Sequence, residues 1–289
     1  MPSIAFHSYK GGTGKTTIAS NLATMLAAKG YNVSLLDLDV YAPSLQAYFE
    51  RSTDKWINDL LSENAKIDDI MLDMTPIIEE YQQAREKVGK LWIGSSNPQK
   101  EEVYKLEGGG KQTSAKIQLL RKFIQLREDL ISEYNSDYII IYTSPGIRYW
   151  SINSLTIADT LFLTLKLGDL DIEGTKKMAN DIYGSFTKSG AKSYLLLNGV
   201  GGYYVPNTLI IPYNDRLEGA IVLRNMMRPI LAGRYLMKCQ WTSFLLFHAT
   251  DLKVLSLLSK QKVIRIQAAC KCMHNVVAIV CYGILCYVR

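Results

Sequence analysis

Cysteine is absent from the first 238 of the 289 residues. That stretch carries no disulfide framework, and a reducing cytoplasm is the expected compartment. The opening Met1-Pro2-Ser3-Ile4-Ala5-Phe6-His7-Ser8-Tyr9-Lys10 lacks a basic region followed by an apolar stretch and a small-residue cleavage site, so no secretory signal is expected. Long apolar runs are scarce as well. The uncharged segment Val276–Val288 spans 13 residues, against about 20 for a membrane-crossing helix, so interfacial contact is the most it supports. Acids nearly vanish late in the chain: residues 220–289 hold ten Lys/Arg and a single acid, Asp251. The net charge is −3 before residue 220 and +9 from there on, so the overall +6 describes neither part. All five cysteines, Cys239, Cys270, Cys272, Cys281 and Cys286, fall in the same tail. These breaks divide the chain into a domain over 1–205 and an atypical basic, cysteine-containing tail over 206–289.

What is present before the tail is ordinary soluble composition, long enough for one α/β domain of roughly 200–250 residues. Residues 2–8 read as a short buried strand followed at once by a glycine-rich turn. Thr16–Lys29 has helical apolar spacing at Ile18, Leu22, Met25 and Leu26, with Gly30 as its stop. Asn32–Leu38 is a second strand, and strand, turn, helix, strand makes a βαβ unit. Residues 54–74 look helical, broken near Glu63-Asn64, and Lys90–Gly94 looks like a strand. Asn97–Ser114, with Gly108-Gly109-Gly110, reads as a loop, and Ala115–Tyr134 as a long amphipathic helix. The apolar run 137–142, then 160–165, a helix over 172–188 and a strand over 193–197 complete the order. Repeated β-α-β predicts a doubly wound, mostly parallel sheet with helices on both faces.

The chemistry gathers at residues 10–17, Lys10-Gly11-Gly12-Thr13-Gly14-Lys15-Thr16-Thr17. Gly11, Gly12 and Gly14 let the backbone curl so that successive N–H groups face phosphate oxygens, and the helix N-terminus adds partial positive charge. Lys15 is placed to reach the β- and γ-phosphates of ATP, and the Thr16 hydroxyl to ligate Mg²⁺. Thr13 and Thr17 complete the phosphate-binding segment. The strict eight-residue phosphate-loop pattern is not met, because Tyr9 stands where its first glycine belongs.

The loop instead resembles the deviant phosphate loop of the ParA/MinD family of ATPases. In that family the first lysine, here Lys10, reaches the partner's phosphates across an ATP-sandwich dimer. Leu35-Leu36-Asp37-Leu38-Asp39 resembles the family's switch I. The resemblance makes Asp39 the residue that positions the attacking water and lies near Mg²⁺. Tyr138-Ile139-Ile140-Ile141-Tyr142-Thr143-Ser144-Pro145-Gly146 resembles the Walker B and switch II segment, with Tyr142 in place of the aspartate. A phenol offers no anionic oxygen to hold a magnesium water shell, so weak Mg²⁺ binding and slow hydrolysis are expected with phosphate binding retained; a sequencing error, one base from an Asp codon, is the alternative. Tyr194-Leu195-Leu196-Leu197-Asn198 resembles the strand whose terminal asparagine reads the adenine edge. The competing reading of Asn198 is a turn residue at a strand end.

The resemblance covers residues 3–198. Ile211-Pro212 follows Asn198 by only 13 residues, too few for the helical crossover a parallel return needs. For the tail a frameshifted or rearranged terminus, a membrane tether over the basic Leu252–Ile266, and a metal site stand open, the last opposed by the Cys270-Lys271-Cys272 spacing. The resemblance implies a cytoplasmic ATPase, peripheral at the membrane or nucleoid, that dimerises around ATP and meets a protein cargo or activator. A hydrolysis-deficient ATP-binding module and an Mrp-type iron–sulfur carrier are the alternatives. Non-specific DNA contact, known among ParA relatives, is not favoured by a slightly acidic domain.

Overall fold

The apolar runs become strands buried on both faces. The computed structural model describes residues 2–49, 53–82, 88–97, 99, 113–166, 168–186, 192–198, 221–223 and 244–248. Among the described residues nine strands form one sheet: β1 (Ser3–His7), β2 (Val33–Leu38), β3 (Met71–Asp73), β4 (Leu91–Gly94), β5 (Tyr138–Thr143), β6 (Thr160–Leu165), β7 (Lys192–Leu197), β8 (Ile221–Leu223) and β9 (Phe244–His248). Their spatial order is β3-β4-β2-β5-β1-β6-β7-β9-β8. The pairs β4–β2, β2–β5, β5–β1, β1–β6 and β6–β7 are parallel, while β3, β8 and β9 join antiparallel. The helices are α1 (Lys15–Ala28), α2 (Leu45–Phe49), α3 (Ile57–Leu61), α4 (Ile67–Ile70), α5 (Thr75–Gln82), α6 (Thr113–Ser132), α7 (Tyr149–Ser154) and α8 (Asp169–Phe186). The expected doubly wound α/β fold is the fold observed.

Alternation along each strand sorts the core into two layers. On β5, Ile139 and Ile141 face a cluster with Phe123, Leu126 and Leu130 of α6 and Trp150 of α7. Tyr138, Ile140 and Tyr142 face the opposite cluster with Ile18, Leu22 and Leu26 of α1. Both faces are covered, as a parallel sheet requires, which is why these strands read as unbroken apolar runs. α1 ends as its sequence predicts, with Gly30 at φ 91° donating its N–H to the carbonyl of Ala27.

One expectation needs correction. The helix over 54–74 breaks at Glu63, whose φ of 65° is left-handed, but its second part does not continue to 74. Met71–Asp73 instead pairs antiparallel with β4 as the edge strand β3. The pairing gained at a sheet edge outweighs local helical spacing in a segment this short.

Beyond residue 205, β9 pairs with β7, and β8 with β9. Gly108–Gly110, Ile211-Pro212, the five cysteines, Leu252–Ile266 and Val276–Val288 lie outside the described residues. Among the described residues no helix is long and apolar enough to cross a membrane.

Candidate functional site

The parallel strands end on one side of the sheet, and β1 lies between β5 and β6, where the winding reverses. That reversal opens a crevice at the strand ends, and the loop 8–14 lies there. Gly12 and Gly14 adopt φ 73° and 90°, left-handed values that favour glycine. A Cβ on Gly14 would stand 2.1 Å from Asn198 Nδ2, so this position excludes every other residue twice over. α1 then starts with no side chain capping its N-terminus and no acid in its first turn. Its leading N–H groups are left for an anion.

The loop is strapped from three directions. Thr13 Oγ1 lies 3.0 Å from Thr164 Oγ1 on β6, and Thr164 also donates to the carbonyl of His7 at 3.0 Å. Asn198, at the end of β7, donates through Nδ2 to the Thr13 carbonyl at 2.7 Å. Gly146 donates its N–H to the Ser8 carbonyl at 2.8 Å, tying the segment after β5 to the loop entrance.

Lys15 is buried, and its Nζ donates to Ser8 Oγ at 2.8 Å, which itself donates to the Lys10 carbonyl at 2.6 Å. Burial pushes the ammonium below its usual pKa, partly opposed by the charge of Asp39. A buried cation whose hydrogen-bond partner is only a hydroxyl is a strong site for a phosphate oxygen. Lys10 lies over α8, its Nζ 3.5 Å from Asp171 Oδ1 of the same chain. The neighbouring Tyr9 ring fits against Gly174 of α8, where a Cβ would stand 2.0 Å from the ring.

Facing the loop are the ends of β2 and β5. Asp37 is fully buried and works as a turn cap: Oδ1 accepts from the Asp39 N–H at 2.9 Å, and Oδ2 from those of Ser44 at 2.9 Å and Leu45 at 3.2 Å. Burial lifts its pKa to about 7, against the pull of the Tyr142 hydroxyl and those three N–H donors. Asp39 Oδ1 accepts from the Ala42 N–H at 3.1 Å. Tyr142, directly beside Asp37 in the β2–β5 register, is fully buried, and its hydroxyl lies 3.4 Å from Ser44 Oγ. Burial first, then the charge of Asp37, holds its phenol well above the usual pKa. Ser44 Oγ in turn lies 3.0 Å from Thr16 Oγ1, while Thr17 Oγ1 meets Tyr48 OH at 3.0 Å.

The donors present fit a nucleotide better than a magnesium ion. Asn198 Oδ1 is buried with no partner among the described residues, an acceptor suited to an exocyclic amine such as that of adenine. The metal side is poorer than the resemblance implies: Tyr142 is a phenol, Thr16 is paired with Ser44, the Asp37 oxygens are taken by backbone, and Asp39, with Oδ1 accepting from Ala42, is the carboxylate left near Lys15. Among the described residues no three His, Cys, Asp or Glu side chains gather as metal ligands.

Two residues of the site carry no signal in the sequence. His7 is fully buried, with Nδ1 2.6 Å from Thr143 Oγ1. Burial, then the charge of Lys15, lowers its pKa to about 3, which keeps it neutral. Lys166, just past β6, brings Nζ to 3.9 Å from where a Cβ on Gly12 would stand. Neither belongs to a local pattern, and only the fold brings them to the loop.

Known proteins bear on the same region. A family model described as an AAA domain, AAA_31, matches residues 1–192. The flagellum site-determining protein YlxH of Helicobacter pylori is 40% identical over 144 residues, covering 50% of this chain and 41% of YlxH. The sporulation initiation inhibitor protein Soj of Bacillus subtilis is 27% identical over 181 residues, covering 62% of this chain and 64% of Soj. The chain spans less than two thirds of the length of the curated relatives it matches. In fold it is similar to the MinC:MinD cell division protein complex of Aquifex aeolicus, with a TM-score of 0.51, 18% identity and 68% of each chain covered. With the family match spanning β1 to β6, the glycine loop and the ends of β2 and β5, the chain belongs to the AAA_31 family of AAA domains, and among P-loop proteins to the ParA/MinD family.

Proposed function

We propose that the protein is an ATP-binding switch for intracellular positioning or partitioning, in which two copies join around ATP. The buried Lys15, hydrogen-bonded among the described residues to Ser8 alone and lying beside the uncapped N-terminus of α1, carries this reading. Its chemistry asks for a multiply charged anion, and Asn198 adds an acceptor for the base. The positioning role rests on the relatives' names, a flagellum site-determining protein and Soj. On this reading Lys10 exchanges Asp171 for the partner's phosphates, and Asp39 positions the water for a slow hydrolysis that releases the pair. Magnesium is held weakly. A cytoplasmic location with peripheral contact at a membrane or nucleoid, and a protein cargo or activator, complete the proposal.

Light scattering after size exclusion tests the dimer: mass should double with ATPγS and not with ADP, and Lys10→Ala should stay monomeric. A mass indifferent to nucleotide would refute the switch. Tyr142 favours a second reading, a module that binds ATP without hydrolysing it. Single-turnover release of labelled phosphate separates the two. Release by the native chain supports the ATPase; none by the native chain, with release restored in Tyr142→Asp, supports the module.

A further inference from the structure

The acids at the crevice are few: Asp37 holds three backbone N–H groups, Asp171 faces Lys10 and Asp39 holds one N–H through Oδ1, whereas ammonium groups surround the loop. Lys15 is buried under it, Lys10 lies at its entrance, and Lys166 stands over Gly12 from the β6 side. Gly11 and Gly12 are exposed, so the space beneath the Lys166 ammonium is open to a ligand. On the facing wall, Thr16, Ser44 and Tyr142 form a chain of hydroxyls with gaps of 3.0 and 3.4 Å. That chain is anchored where Asp37 holds the Ser44 and Leu45 N–H groups. It fills the ground between the helix start and the end of β5 without supplying a negative charge.

We propose that this site neutralises the phosphates of a nucleoside triphosphate with lysine ammonium groups, Lys166 among them, instead of with a magnesium ion. The inference rests on the ATP-binding reading above and adds to it a phosphate-binding residue and a cation-independent mode of binding. A magnesium ion lowers the charge of a bound triphosphate and draws in carboxylate oxygens to balance itself. With a phenol on β5 and a cap carboxylate on β2, such balance is reduced to Asp39. A third ammonium group does the same neutralisation from the opposite side of the loop, and Lys donates to phosphate as a compact point charge.

Titrating the full-length protein with a fluorescent ATP analogue, once in EDTA and once in millimolar Mg²⁺, tests the proposal. The native chain should bind within about threefold equally in both buffers. Lys166→Ala should weaken binding in EDTA by about tenfold, the loss of one charge-assisted contact, and Lys166→Arg should recover most of it. Tyr142→Asp should bind more weakly in EDTA than in Mg²⁺ by about tenfold or more, since its new carboxylate needs a cation. Native affinity that collapses in EDTA, or Lys166→Ala that binds normally, would overturn the inference and leave ATP binding standing. Failure of the native chain to bind in either buffer would overturn the ATP-binding reading and this inference together.

Discussion

One wall of the site, residues 10–17, offers an anion backbone N–H groups, a helix start and lysine ammonium groups. The facing wall, at the ends of β2 and β5, offers hydroxyls, the Asp37 carboxylate committed to backbone N–H groups, and Asp39 with one N–H on Oδ1. The first wall depends on backbone shape, so its few strict demands are for glycine and for Lys15. The second depends on individual side chains, so a single residue, Tyr142, changes what it can hold. On the ATP-binding reading, phosphate recognition and metal recognition are thus separable within one crevice.

The difference can be broken from either side. Lys15→Ala removes the one buried lysine or arginine among the described residues and should weaken ATP-analogue binding about a hundredfold, two charge-assisted contacts' worth; a fluorescence titration measures it, and a loss under fivefold would place phosphate recognition elsewhere. Gly14→Ala forces a side chain into left-handed backbone and onto Asn198. It should cost about 2 kcal/mol or more of stability in a denaturant melt, with binding lost alongside.

A gentler test uses pH. His7 stays neutral in the folded chain down to about 3, whereas its ordinary value is 6.5. As pH falls through that window only the unfolded chain gains this proton, and folding loses about 1.4 kcal/mol per pH unit. Asp37 acts in reverse: folded, it keeps its proton up to about 7, against an ordinary 3.8, so its contribution is lost as pH rises from 3.8 toward 7. Between about 4 and 6.5 the two slopes oppose each other and cancel. Native stability should therefore be nearly flat there. His7→Thr should become more stable as pH falls, and Asp37→Asn less stable, each by about 1.4 kcal/mol per unit. Parallel curves for native and His7→Thr would refute the pairing.

The smallest effect belongs to Lys10 and Asp171. Lys10 is 41% exposed in this pair, so Asp171→Ala should change stability by no more than about 0.5 kcal/mol. On the switch reading it should instead lower the ATPγS concentration that drives dimer formation, which light scattering follows.

The sequence made the glycine wall legible because its signals are local: a buried strand, a tight turn and an amphipathic helix within about thirty residues. The parallel strands were legible for a related reason, since burial on both faces writes an apolar run. β3 escaped because three residues at a sheet edge gain their pairing from β4, not from their own pattern. The fold of the second wall was hidden for a similar cause. Asp37 reads as one of two strand-end acids, and only the chain's return through Ser44 and Leu45 makes it a cap. His7 and Thr143 meet across 136 positions, and Lys166 reaches Gly12 only because β6 lies beside β1.

The Asn198 strap has a consequence for how the protein is made. Its partner, the Thr13 carbonyl, is 185 positions earlier in the chain, and β7 must dock on β6 before the bond can close. A ribosome that has just delivered the phosphate loop has therefore delivered an unfinished one. The loop gains its last brace only when residue 198 has left the exit tunnel, so nascent chains stalled short of that point should carry the complete sequence motif and a slack grip on nucleotide.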